Sequence, residues 1–134
     1  MKVIYFIPKI KILCSLILIF ISQSVYAACV DSVVLVHGNT GTPSDWDNTY
    51  DLLKAKNYND NQIFRPSWGG SSASYNNHSG SEETPVKNAI NSAISSSCTG
   101  KIDIIGHSMG VTLAAQQVLK LGKSNKIDAF VGVA

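Results

Sequence analysis

The stretch KIDIIGHSMGVTLAAQQVLKLG, residues 101–122, reads as a strand, a tight turn and a helix with nothing between them. Residues 101–105 form a β-branched run, read as a buried strand of a parallel sheet. Residues 111–121 carry a helical pattern, and Gly122 supplies the residue on which helices commonly stop. The turn is Gly106-His107-Ser108-Met109-Gly110. Gly-x-Ser-x-Gly alone is a weak signal, but between a buried strand and a helix it is the setting of a nucleophile elbow. A serine lifted clear of the sheet on so short a turn has a strained backbone. Side chains two residues to either side would collide, which accounts for Gly106 and Gly110. The hydroxyl of Ser108 then stands at the positive end of a helix, beside the backbone N–H of Met109. An ordinary turn with a capping serine is the competing reading.

A second β-branched run, residues 32–36, ends in His37-Gly38-Asn39-Thr40-Gly41-Thr42-Pro43. Acyl transfer needs two donors aimed at the developing oxyanion. Met109 supplies one N–H, and Asn39 is the candidate for the other, with Gly38 letting the backbone approach. His37 reads as a structural histidine that ties this loop down through its ring nitrogens. His107 reads as a packing residue whose side chain points away from the Ser108 hydroxyl.

Outward from these two strands the pattern alternates. Ser44 is expected to cap a helix carrying Trp46, Tyr50 and Leu53, which ends at Asn57-Tyr58-Asn59. Residues 62–65 are a short strand, and residues 66–83 a long loop containing Trp68, Tyr75 and His78. The loop aromatics could line an acyl pocket or pack over the sheet edge. Thr84-Pro85 is expected to open a helix with Val86, Ala89, Ile90, Ala93 and Ile94 as its apolar stripe. Residues 127–134 begin another strand. Such alternation implies right-handed crossovers and a parallel sheet with helices on both faces, so the fold class is α/β.

The chain has 134 residues, enough for one domain. Its net charge of +2 gives no basic patch to argue for nucleic acid, and 45% hydrophobic residues exclude global disorder. Lys2, Lys9 and Lys11, the apolar run 12–21 and the exit Val25-Tyr26-Ala27 describe a secretory signal peptide over residues 1–27. This ten-residue run is too short to span a membrane, so no stable span is expected after cleavage. Lipoprotein attachment at Cys29 fits poorly, because Tyr26 stands where a branched aliphatic residue is expected. Removing residues 1–27 leaves 107 residues with a net charge of −1, so the basic excess belongs to the signal.

Val33 to Gly38, the Trp46 helix, residues 101–110 and the strand from Ile127 together resemble the small lipases and esterases of the α/β-hydrolase superfamily, in particular the class 2 lipase type. The sharpest motifs are Val-His-Gly and Gly-His-Ser-Met-Gly. The resemblance implies carboxylic-ester hydrolysis, lipids included, with Ser108 as nucleophile, Asn39 and Met109 as oxyanion donors, and no metal or cofactor. Val111 departs from the second glycine that often follows the elbow in this family. Oligomeric state is left open.

A serine nucleophile needs a histidine base and an orienting carboxylate, which in this superfamily follow the serine in the chain. None of His37, His78 and His107 does so. Asp128 lies at the entry of a strand, the wrong end of the sheet, and Asp103 lies mid-strand, where a hydrogen-bonded structural carboxylate is the better reading. His78 reads as an exposed loop histidine. The final run Ala129-Phe130-Val131-Gly132-Val133-Ala134 is a core strand with no cap behind it. The expectation is the N-terminal part of a longer hydrolase, residues 28–134 being a partial domain with little or no activity alone.

Cys29 lies seven residues before Val36, and Cys98 seven before Ile105. In the sheet that the resemblance implies, those strands are parallel neighbours, so a Cys29–Cys98 disulfide is expected, as suits an oxidising compartment. Two buried thiols are the alternative. The leading function is a secreted serine hydrolase acting on carboxylic esters, and a non-catalytic binding protein on the same fold stands second. A nucleotide site at Gly38-Asn39-Thr40-Gly41 ranks last, because it lacks a full Gly-x-Gly-x-x-Gly pattern and a P-loop lysine.

Overall fold

The structure, a computed structural model, describes residues 29–70 and 78–134. The expected signal peptide, residues 1–27, and Tyr75 lie outside these residues. Four parallel strands are present: β1 (Ser32–Val36), β2 (Ile63–Phe64), β3 (Ile102–His107) and β4 (Ile127–Val133). Their order across the sheet is β2-β1-β3-β4. The apolar runs around β1 and β3 occupy the two central places, as strands covered on both sides must.

Alternation along β1 divides the core. Val33 and Leu35 join Trp46 and Ile63 on one face, where Tyr50 and Leu53 of helix α1 (Asp47–Ala55) pack. Val34 and Val36 face the other side with Ile102 and Ile104. There they meet Val86, Ile90 and Ala93 of α2 (Glu83–Ser96) and Leu113, Ala114 and Val118 of α3 (Met109–Lys120). The crossover from β1 to β2 runs one way along the sheet and the return to β3 the other. Right-handed connections in opposite directions put α1 on one face and α2 and α3 on the other. They also leave a crevice at the carboxyl ends of β1 and β3, where the chain changes direction.

Three helix starts differ from the sequence reading. A 3-10 turn, Pro43–Trp46, precedes α1, and its cap is Thr42 rather than Ser44. Asp45 Oδ2 reaches back to accept the Thr42 N–H at 3.1 Å, so Ser44 is already inside the turn. A second 3-10 turn, Gly80–Glu82, leads into α2, which begins at Glu83, ahead of Thr84-Pro85. Pro85 still falls in the first turn, where its missing N–H costs nothing. Helix α3 begins at Met109, two residues early, because the turn from β3 consists of Ser108 alone.

At the amino ends of β1 and β3 a disulfide joins Cys29 to Cys98, with Cα atoms 5.9 Å apart. The strand register pairs Leu35 with Ile105 and Val36 with Gly106. The two cysteines are therefore one residue out of step, an offset that the bridge accommodates. The bridge closes a loop spanning 69 residues of sequence. Cys98→Ser is expected to lower stability by about 2–4 kcal/mol. Urea unfolding of the oxidised protein and the variant checks this; equal midpoints would refute it.

Strand β4 lies opposite β2 at the other end of the described sheet. It pairs with β3 through a shift between Ile102 and Asp103 that bulges out Asp128, and the half-buried Asp103 carboxylate accepts the Ala129 N–H at 3.1 Å. Burial raises the pKa of Asp103 from its ordinary value, partly offset by that N–H. Asp128 is exposed and pairs with Lys101 at 3.4 Å. Phe130, Val131 and Val133 are exposed large apolar residues. Among the described residues, no helix is long and apolar enough to cross a membrane.

Candidate active site

Ser108 stands alone between β3 and α3 with φ +50° and ψ −126°. A serine in that region is held there against a strain of order 1–3 kcal/mol. Two hydrogen bonds and two glycine close approaches surround it. The Ser108 N–H donates to Val133 O at 2.8 Å, and the Val111 N–H donates back to Ser108 O at 3.0 Å. Gly106 and Gly110 let the helix pass close to the strands. A Cβ on Gly106 would lie 2.8 Å from Val111 Cα, and one on Gly110 would strike His37 O and sit 2.5 Å from Val36 O. Ser108 is exposed, at the carboxyl end of β3. Among the described residues no group hydrogen-bonds to its Oγ.

Because Val36 pairs with Gly106, the loop after β1 lies beside the elbow. A Cβ on Gly38 would be 3.3 Å from Ser108 Cβ and 2.6 Å from His107 Nδ1. The His107 ring thus lies against the Gly38 backbone, exposed on its outer side. Met109 carries one of the N–H groups that helix geometry leaves unpaired in a first turn. Asn39 is half-buried in the β1 loop. The structure therefore brings Ser108, Met109, Gly38, Asn39 and His107 to one place. An open cavity of about 290 Å³ adjoins them, lined by His37, Asp45, Trp46, His107 and Val133.

His37 is 1% exposed, and both ring nitrogens are engaged. Nδ1 pairs with Gly38 O at 2.8 Å, and Nε2 accepts the Trp68 backbone N–H at 3.2 Å. The Trp68 indole Nε1–H donates to His37 O at 2.9 Å, and the two rings stack with centroids 5.5 Å apart. Trp68 is 4% exposed and packs in the core; it does not line the cavity beside His107 but lines a second one of about 480 Å³ with Gly69, Glu82 and Pro85. His78, read from sequence as exposed, is half-buried. Its ring meets Trp68 edge-on at 6.0 Å, and its Nε2 lies 3.4 Å from Thr112 Oγ1 on α3. Neither contact has a local signature in the sequence, since 31 residues separate Trp68 from His37. Among the described residues no three of His, Cys, Asp and Glu are grouped to hold a metal ion.

The profile of the family Lipase (class 2) matches residues 31–133. No curated protein matches. One solved structure that matches is an extracellular α/β-hydrolase from a Paenibacillus species, described as sharing structural and functional homology with tobacco salicylic acid binding protein 2. It is 20% identical, with a TM-score of 0.54 over 77% of this chain. The chain spans 40% of that structure's length.

Proposed function

The chain belongs to the class 2 lipase family, and from that premise we propose that it serves a secreted serine hydrolase cleaving carboxylic esters, lipids among them, through an acyl-enzyme on Ser108. The observation that carries this reading is the positive φ of Ser108 on a one-residue turn between β3 and α3. Such strain concentrates at functional sites, and a capping serine has no need of it. Export is supported by the signal-like residues 1–27 and by the disulfide.

In the proposed reaction the Ser108 hydroxyl attacks the ester carbonyl as a histidine base removes its proton. The Asn39 and Met109 N–H groups receive the negative charge that forms on the carbonyl oxygen. Collapse of the tetrahedral intermediate expels the alcohol, which takes the proton back, and water then releases the acid. The cavity beside His107 offers room for one arm of the ester. Among the described residues no histidine–carboxylate couple is joined to Ser108, so these steps are proposed for the whole enzyme.

A fluorophosphonate probe tests this directly. The expected result is one adduct on the peptide containing Ser108, absent in Ser108→Ala. Labelling that survives Ser108→Ala would move the nucleophile elsewhere. No labelling of the full-length protein would favour the binding-protein reading, for which a serine with no hydrogen-bonded base is the natural state.

A further inference from the structure

The contacts of Trp68 reach further than its place in the core requires. Its backbone N–H occupies His37 Nε2, which leaves the His37 ring proton on Nδ1, where it donates to Gly38 O at 2.8 Å. The Gly41 N–H donates to the same oxygen at 3.1 Å. Gly38 O and the Asn39 N–H belong to one peptide unit, which is planar and trans. Pinning that oxygen therefore fixes the direction in which the Asn39 N–H points. The preceding peptide is pinned as well, because the indole Nε1–H holds His37 O at 2.9 Å. That carbonyl is also the atom against which Gly110 packs, one residue after Met109.

Resting on the reading of Ser108 and its oxyanion donors given above, the geometry points to Trp68 as a positioning residue for the oxyanion hole, acting through His37. It holds two successive peptides of the β1 loop in register with the start of α3, so the Asn39 and Met109 N–H groups converge on one point. Its other edge rests on His78, whose Nε2 faces Thr112 one turn along α3. Trp68 thus links both walls of the hole.

The test is ester hydrolysis by the full-length protein with Trp68→Phe, which keeps an aromatic ring against His37 and removes the indole N–H together with the pyrrole half of the indole. With a short-chain p-nitrophenyl ester, kcat is expected to fall about 10- to 100-fold while KM stays within about twofold. Affinity for an aryl boronic acid, which forms a tetrahedral adduct on the serine, should fall by the same factor as kcat. In the double variant with His37→Asn the losses should not add, since Trp68 acts through His37. If Trp68→Phe does not fold, the isosteric Trp68→benzothienylalanine removes the N–H while preserving shape. Unchanged kcat overturns the inference, as does a loss carried by KM with boronate affinity intact. A wild-type protein that neither hydrolyses the ester nor takes up fluorophosphonate removes the reading beneath it instead.

Discussion

Ser108→Ala is expected to lower kcat/KM for a p-nitrophenyl ester by about 10⁴-fold or more, with the fold intact. The loss is large because attack, proton transfer and oxyanion binding act as a unit, and removing the hydroxyl leaves the rest without a bond to form. Ser108→Gly should lose as much activity yet unfold at a higher temperature. Glycine relieves the positive φ, worth about 1–3 kcal/mol, and gives back about 0.4–1 kcal/mol through greater freedom of the unfolded chain. The net is a gain of about 1 kcal/mol. Steady-state kinetics and thermal unfolding of the two variants check both halves. Activity within tenfold of wild type in Ser108→Ala would exclude this serine as nucleophile. A lower melting temperature for Ser108→Gly would mean the turn is not strained.

The second large effect is structural. Gly110→Ala is expected to cost at least about 3 kcal/mol. Its Cβ would meet His37 O and lie 2.5 Å from Val36 O, both backbone carbonyls at the buried end of the central strand. Val36 is pinned to Gly106 across the sheet, and His37 is held by Trp68, so neither can yield by turning a side chain. Helix α3 would have to lift off β1. Gly122→Ala makes the control, because its φ of +63° strains any side chain but nothing lies within 4 Å. That change should cost only about 1 kcal/mol. Urea unfolding of both proteins separates collision from conformational strain, and near-equal losses would mean that α3 does not pack as closely as the glycine implies.

The central strands, the elbow and the helix stripes were legible because each writes a local pattern. β-branched runs mark β1 and β3, Val86, Ile90 and Ala93 mark the buried face of α2, and the glycines flank Ser108 for steric reasons that need no tertiary knowledge. The helix starts were less legible. Thr42 outcompetes Ser44 because Asp45 can reach back over a 3-10 turn, a choice that depends on local geometry rather than residue preference. The one-residue offset between Cys29 and Cys98 was hidden too, since sheet register is set by packing across strands. Least visible was Trp68. A lone aromatic in an aperiodic loop gives no sign that it will bind both the ring and the carbonyl of a histidine 31 residues earlier. The same holds for His78, whose ring rests against Trp68 and Thr112.

Cys29 and Cys98 are joined at the amino ends of β1 and β3, whereas Ser108 stands at the carboxyl end. The five residues of β1 between these poles span roughly 16 Å. What the cross-link contributes to stability is therefore set apart in space from the elbow. A lineage that moved into a reducing compartment could shed the cross-link and recover its margin through core or surface changes, leaving the hydroxyl untouched. An engineer could strengthen the far pole with the same freedom, while every substitution around Gly38, Gly106 or Gly110 would answer to both demands at once.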